Sequence, residues 1–211
     1  MDMQHLSALF LVGTVSLVAA ISPGPDFIIV VRNSLVYSRK AGFWTSFGVA
    51  CALFFHLTYT VIGIGVLIAE SPLCYTVIKY AGVFYLFYLG ITALVSAFKN
   101  HSAVQMNYKK SEIELSPKTA FKQGFLTNVL NPKCALFFIS LFSQFITPTT
   151  PLFLRVEFAF VNWVISLSWF LFLAYLITAK VFAAKVTRAR TYIDGIMGGV
   201  LILLGLKMLL A

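Results

Sequence analysis

Long apolar stretches separated by short polar ones dominate this chain of 211 residues. A membrane-spanning helix needs about 20 largely apolar residues, and six stretches meet that length. They cover residues 6–31, 42–69, 73–98, 120–146, 155–179 and 191–210. The pattern therefore predicts an all-α integral membrane protein with six transmembrane helices.

The first apolar stretch is interrupted towards its end by five residues, Ser22, Pro23, Gly24, Pro25 and Asp26. Proline lacks a backbone N–H and clashes with the preceding helical turn, so a continuous helix is not expected here. We expect one helix to stop near Ser22 and another to restart near Pro25, with Asp26 in its positively polarised first turn. A broken helix with an ionisable residue at membrane depth is typical of transport sites.

The fourth stretch contains a second interruption, at Asn128, Asn131, Pro132 and Lys133. Lys133 lies some ten residues inside the predicted span, too deep for its ammonium to reach the membrane surface easily. A lysine at that depth costs free energy unless it is paired, neutral or hydrated, and Asp26 is the candidate partner. The asparagines could satisfy freed backbone groups or bind a polar ligand.

The two interruptions indicate an internal repeat. ISPGPDFIIVV matches LNPKCALFFIS, with Ser22 opposite Asn131 and Pro23 opposite Pro132. Residues 1–98 and 119–211 then form two three-helix halves, joined by a polar cytoplasmic linker at 99–118. Because three is an odd number, the second half must be inverted in the membrane. We therefore predict two inverted three-helix repeats with broken first and fourth helices, as in many secondary transporters.

Basic residues are concentrated in the loops after the first, third and fifth spans. These loops and their edges hold twelve lysines and arginines, against Arg155 alone on the opposite side. Positively charged loops favour the cytoplasmic side, which predicts a multi-pass protein with both termini in the periplasm. The net charge of +9 therefore reflects the basic cytoplasmic loops of a membrane protein, and no nucleic-acid partner is expected.

A central polar cavity between the two breaks could hold an amino-acid zwitterion. Lys133 and the helix N-termini would donate to the carboxylate, and Asp26 would accept from the ammonium. A carboxylate in apolar surroundings favours its protonated form, which suits a proton carrier. In the alternative reading, Asp26 and Lys133 are a purely structural ion pair between the two halves.

Three further ionisable residues are weaker candidates. Asp194 could be a gate or a helix cap near the cytoplasmic end of the sixth span. Lys79 lies close enough to the outer end of the third span to reach the surface. His56 lies at mid-membrane on an aromatic surface, where a packing role is favoured over a proton relay.

Other function classes fit less well. A membrane thiol–disulfide carrier needs a redox cysteine in each half, but Cys51, Cys74 and Cys134 do not occupy matching positions. A membrane enzyme needs a nucleophile–base set or a metal cluster, and the spans hold a single histidine and few carboxylates. No GxxxxGK loop is present for ATP hydrolysis. We therefore expect neither an enzyme nor a metal or cofactor, and a passive channel for small solutes stays open as an alternative.

Three motifs in order, SPGPDF, TNVLNPK and IDG at residues 193–195, resemble the LysE/RhtB family of amino-acid exporters over essentially the whole chain. The chain looks like the RhtB branch, associated with homoserine, threonine and other neutral amino acids. The lysine and arginine exporters instead carry a GPQN-type sequence where SPGPDF stands here. The resemblance implies proton-coupled efflux, as an antiporter, across a bacterial inner membrane, often by a homodimer.

Overall fold

The computed structural model describes residues 3–99, 111–147, 149–178 and 180–210. Within these ranges the chain forms eight α-helices and no strand, so the prediction of an all-α protein is confirmed. In chain order the helices are α1 (Met3–Ile21), α2 (Pro25–Val36), α3 (Arg39–Glu70), α4 (Pro72–Lys99), α5 (Pro117–Val129), α6 (Pro132–Phe145), α7 (Leu152–Ile177) and α8 (Lys180–Leu209).

Four helices, α3, α4, α7 and α8, are long and apolar enough to cross a membrane. Two more spans are available if each bent helix pair crosses once: α1 with α2, bent by 55°, and α5 with α6, bent by 56°. The part of the chain that the structure describes therefore holds four to six candidate spans. Large apolar side chains such as Phe54 and Phe84 point outward, as expected on a surface that faces lipid.

Both helix breaks occur where the prolines predict them. Pro25 is the first residue of α2, and Pro132 is the first residue of α6. The first position of a helix tolerates proline because its missing N–H would have no helical partner there. Asp26 and Lys133 each follow the opening proline, so they occupy equivalent positions in their helices.

The helix starts change the correspondence that the sequence match indicates between the two halves. Pro25, and not Pro23, holds in α2 the place that Pro132 holds in α6. The match of Pro23 with Pro132 is therefore displaced by two residues. Two nearby prolines are indistinguishable in a short apolar alignment, whereas only one of them can open the helix.

Helices extend into two of the predicted basic loops. α2 continues to Val36 and α3 begins at Arg39, so Arg32 is helical instead of lying in a loop. α8 begins at Lys180, about a turn past the end of α7 and well before the predicted residue 191. Lysine and arginine are good helix formers, so a helix can continue beyond the apolar part that a span prediction detects.

The predicted polar linker at 99–118 is described only in part, since residues 100–110 lie outside the described residues. Its last residues open α5. Ser116 is the N-cap, and its hydroxyl accepts a hydrogen bond from the Thr119 N–H at 3.2 Å. Pro117 occupies the first helical position. This combination of a serine cap and a following proline is a strong helix start.

Glycines bring two helix pairs into close contact. A Cβ on Gly48 of α3 would lie 2.1 Å from the Phe121 carbonyl oxygen of α5, and Gly124 of α5 is equally tight against α3. In the second pair, a Cβ on Gly198 of α8 would lie 2.7 Å from the Gly90 carbonyl oxygen of α4. Small residues permit such close backbone approach between membrane helices. Both pairs also pack against a helix that begins at a break, since α3 and α5 contact α2, and α4 contacts α6.

Candidate functional site

Both helix breaks line one central cavity of about 80 Å³. From the predicted set its lining includes Ser22, Gly24, Pro25, Asp26, Asn128, Asn131 and Lys133. Much of the remaining lining is apolar, from residues such as Leu53 and Phe137. Pro23 lines a neighbouring cavity, and Pro132 lines neither of the two. The structure thus brings together the polar residues of two breaks that lie about a hundred residues apart in sequence.

Asp26 is held by the two asparagines of the other break. Its Oδ2 accepts hydrogen bonds from Asn128 Nδ2 and Asn131 Nδ2, each at 3.1 Å. Its second oxygen, Oδ1, is buried and has no hydrogen-bond partner in the described ranges. The structure shows no ion pair between Asp26 and Lys133. The anticipated partnership of these two residues is therefore replaced by asparagine contacts, which leave one carboxylate oxygen available.

The hydrogen bonds also define which way the two amides face. Asn131 is the N-cap of α6, and its Oδ1 accepts from the Lys133 backbone N–H at 3.1 Å. The Asn131 amide nitrogen must then point to Asp26. Asn128 donates to Asp26 as well, and its own Oδ1 is buried without a partner among the described residues. The break in α5–α6 thus presents donors to the carboxylate of Asp26 and one unused acceptor.

Lys133 reaches from α6 towards the start of α2. Its Nζ lies 3.8 Å from the place that a Cβ on Gly24 would take. The ammonium makes no hydrogen bond or ion pair within the described ranges. Gly24 provides no side-chain cap for α2, and the N–H groups of Asp26 and Phe27 have no acceptor among the described residues. A cation and an uncapped helix N-terminus, both attractive to anions, therefore lie side by side.

His56 supports the break from α3. Its side chain is buried, and Nε2 lies 2.9 Å from the Asn128 carbonyl oxygen. A carbonyl only accepts, so Nε2 carries the proton, and in the neutral ring Nδ1 accepts from the Tyr59 hydroxyl at 2.6 Å. Both ring nitrogens are thus used within the protein, and His56 positions Asn128 without lining the central cavity.

A second polar cavity, of about 150 Å³, adjoins the first. It is lined by Pro23, Ser96 and Asp194, and it shares Ser22 and Lys133 with the central cavity. Asp194 is buried, and its Oδ2 accepts from the Ser96 hydroxyl at 3.1 Å. Lys133 therefore borders one cavity that contains Asp26 and another that contains Asp194.

Lys79 lies away from both cavities. Its side chain is half-buried on α4, and its backbone carbonyl accepts from Gln144 Nε2 at 2.9 Å. The three cysteines are free, and only Cys134 of them lines the central cavity. No group of three histidine, cysteine or carboxylate side chains comes close enough to hold a metal ion in the ranges described.

Sequence reasoning missed three polar residues of the central cavity: Ser16 on α1, and Asn162 and Ser166 on α7. Asn162 and Ser166 are four residues apart, so they lie on the same face of α7, and both are buried. The available signal was an asparagine in the middle of an otherwise apolar span. Its burial could not be read from hydropathy, because large apolar residues surround α7 and no single side stands out as the buried one.

Comparisons with known proteins identify a family and several relatives of this chain. The model of the LysE type translocator family matches residues 17–211. The uncharacterized membrane protein YrhP of Bacillus subtilis (strain 168) is 33% identical over 192 residues, which are 89% of this chain and 91% of that protein.

Two named efflux proteins are also similar. The threonine efflux protein of Escherichia coli (strain K12) is 29% identical over 200 residues, covering 95% of this chain and 96% of that protein. The leucine efflux protein of Salmonella choleraesuis (strain SC-B67) is 30% identical over 175 residues, covering 82% and 78%. No solved structure matches the chain. The family match over nearly the whole chain, on a helical membrane fold with two broken helices, shows that this protein belongs to the LysE family of translocators and is a transporter, not an enzyme.

Proposed function

We propose that this protein exports small neutral amino acids across the bacterial inner membrane in exchange for protons. The observation that carries the proposal is a pair of opposite charges, Lys133 and Asp26, that line one cavity without pairing with each other. An unpaired charge at membrane depth is costly, so its presence favours a functional role. The names of the threonine and leucine efflux relatives support the same class of cargo.

The carboxylate of the substrate would bind beside Gly24. There the Lys133 ammonium adjoins the uncapped N–H groups of Asp26 and Phe27 at the start of α2. The start of α6 is a poorer anion site, because Asn131 already caps it. The backbone at Gly24 is extended, with φ of −150°, a conformation open to any residue. Its lack of a side chain instead leaves room for a ligand next to Lys133.

The ammonium of the substrate would bind to two acceptors, one from each break. Asp26 Oδ1 and Asn128 Oδ1 are both buried without partners among the described residues. With one aspartate and one lysine, the described lining of the central cavity has no net formal charge. A neutral amino acid also has no net charge, whereas a basic side chain would bring a positive charge with no second carboxylate to meet it. The lining therefore favours neutral cargo.

Proton coupling follows from competition for Asp26. Its carboxylate can hold either the substrate ammonium or a proton, but it does not attract the ammonium once it is protonated. Proton binding from the outside would therefore favour release of the substrate there. Release of the proton towards the cytoplasm would restore the ionised Asp26 that binds substrate. The cycle would then exchange an amino acid for a proton.

The second cavity is a candidate entry from the cytoplasm. Ser96 lies near the end of α4, next to the linker for which the sequence predicts a cytoplasmic location. Asp194 would attract the ammonium of an arriving amino acid, and Lys133 borders the way onward to Asp26.

Alternating access would use the two helix breaks as hinges between inverted halves, residues 1–98 and 119–211. The nearly equal bends of 55° and 56° support that arrangement. The packing of α3 on α5 likewise has a counterpart in the packing of α7 on α1. The periplasmic termini follow from loop charge, and the homodimer rests on the family resemblance.

The test is efflux from proteoliposomes loaded with labelled threonine, homoserine, valine or leucine, with and without an imposed proton gradient. We expect gradient-driven efflux by the wild type, and its loss in Asp26→Asn. Glu157→Gln is the matched control, because Glu157 pairs with His5 outside both cavities. Efflux at the same rate with and without the proton gradient would instead indicate a passive channel. Unchanged coupling in Asp26→Asn would remove Asp26 from the mechanism.

A further inference from the structure

One face of α7 brings two unused hydrogen-bonding groups to the central cavity. Asn162 and Ser166 both line it, and both side chains are buried. Asn162 Oδ1 has no hydrogen-bond partner in the described ranges. The Ser166 hydroxyl likewise makes no hydrogen bond to a described residue. Neither residue has a place in the binding of the ammonium and carboxylate groups outlined above.

The free hydroxyl of Ser166 is unusual for this protein. The other buried helical serines in the described ranges donate to a carbonyl three or four residues earlier, as Ser16 does to Val12 at 2.6 Å and Ser34 does to Val30 at 2.7 Å. That local bond is the ordinary way for a helical serine to satisfy its hydroxyl in an apolar environment. A serine that lines a cavity and does not make this bond keeps both its donor and its acceptor for another group.

The orientation of Asn162 is set by Ser16. The Ser16 hydroxyl already donates to Val12, so it can only accept from Asn162, and the Asn162 amide nitrogen must be the group that faces it. The carbonyl end, Oδ1, is then the unused one. A buried acceptor without a partner costs about 1–3 kcal/mol, so the site gains when a donor arrives. Since Asn162 lines the cavity, a bound ligand can supply that donor.

The two groups lie at increasing distance from the helix breaks. Phe170, one turn after Ser166, shares an apolar cluster with Phe27 at the start of α2. Asn162 contacts Ser16, which is well before the break in α1. The order from the break is therefore Ser166 first and Asn162 about 6 Å further along α7. A substrate anchored at the breaks would direct its side chain along this face.

We propose, on the basis of the function proposed above, that Asn162 and Ser166 form a side-chain subsite that selects amino acids carrying a hydroxyl group. A side-chain hydroxyl can donate to Asn162 Oδ1 or exchange a hydrogen bond with Ser166. An apolar side chain of the same size would leave both groups unpaired. Sites built to hydrogen-bond a substrate hydroxyl discriminate strongly against the analogue without it, because the buried polar groups of the protein lose their partner.

Two pairs of amino acids of nearly equal size test the subsite: threonine with valine, and homoserine with norvaline. Each pair exchanges a hydroxyl for a methyl group. In proteoliposomes the wild type should prefer the hydroxylated member by at least about tenfold in kcat/KM. Ser166→Ala and Asn162→Leu should each lower that preference, mainly by slowing the hydroxylated substrate. Ser166→Ala removes no hydrogen bond to a described residue, so it remains informative if Asn162→Leu fails to fold.

Ser140→Ala is the matched control. Ser140 is equally buried, but it donates to the Leu136 carbonyl and does not line the cavity. Its variant should keep the wild-type preference. Equal transport of both members of each pair by the wild type would overturn the subsite and leave the export function standing, as would an unchanged preference in Ser166→Ala and Asn162→Leu. Transport of no amino acid by the wild type would overturn the proposed function and the subsite with it.

Discussion

Replacing Lys133 with methionine is expected to slow transport strongly and to stabilise the fold at the same time. Methionine preserves the length of the side chain and removes its charge. The ammonium makes no hydrogen bond or ion pair in the described ranges, so its removal breaks no such contact. Most substitutions in a membrane core that reduce activity also reduce stability. A variant that loses activity but gains stability is therefore informative.

The magnitudes follow from the surroundings of Lys133. A lysine at the centre of a membrane helix costs about 2.5–3.5 kcal/mol. The side chain is half-buried and borders two cavities, so hydration relieves part of that cost, and we expect a gain of about 1–2 kcal/mol. At about 2–4 °C per kcal/mol for a chain of this size, the unfolding temperature should rise by about 2–8 °C. Loss of a charged hydrogen bond to the substrate carboxylate, about 1.5–3 kcal/mol, should lower kcat/KM by about tenfold to a hundredfold.

Two measurements on one preparation test this expectation. Thermal unfolding in detergent gives the stability, and gradient-driven efflux of threonine from proteoliposomes gives the transport rate. Lys79→Met is the matched control, since Lys79 is also half-buried in a helix but borders neither cavity. Its transport rate should equal that of the wild type.

A lower unfolding temperature for Lys133→Met, with transport retained, would refute the reasoning. That result would mean that Lys133 is a structural partner of a carboxylate, either Asp26 or Asp194, in the folded protein. Lower stability together with lower transport would also count against it, since the loss of activity would then follow from the loss of structure.

Two further predictions concern packing and support of the break. Gly48→Ala should destabilise the protein by about 1–3 kcal/mol or more, because the new Cβ would overlap the backbone of α5. Gly63→Ala, with no atom within 4 Å, should be neutral or stabilising by up to about 1 kcal/mol, since alanine is the better helix former, and thermal unfolding distinguishes the two variants. His56→Phe removes the hydrogen bonds to both the Asn128 carbonyl and the Tyr59 hydroxyl, at about 0.5–1.5 kcal/mol each, and should cost about 1–3 kcal/mol. Tyr59→Phe, which loses only one of these two bonds and changes a more exposed side chain, should cost less, and an equal cost for both would contradict the role of His56 in supporting the break.

Local chemistry allowed the sequence to predict the helix breaks. A proline cannot donate a backbone hydrogen bond wherever it stands, so Pro25 and Pro132 mark helix starts without any knowledge of their neighbours. The same local argument placed Asp26 in the first turn of α2. It could not decide between Pro23 and Pro25 as the counterpart of Pro132, because that choice depends on which residue the folded chain uses to open the helix.

The lengths of the apolar stretches likewise predicted an all-α membrane protein. They predicted the ends of the helices less well. Length and hydropathy detect the part of a helix that lipid surrounds. They do not detect its continuation into water, where polar residues can extend the helix. The extension of α8 back to Lys180 is such a case.

Tertiary structure alone decided the partners of each polar residue. Charge complementarity made Lys133 the obvious partner of Asp26, but the fold brings Asn128 and Asn131 closer and leaves the ammonium free. Nothing in the sequence placed Ser166 at the cavity. In water, the side of a helix that faces the core can be read from its apolar stripe. In lipid both sides are apolar, so inward and outward faces look alike, and only the packing of the helices against one another shows which polar side chains meet.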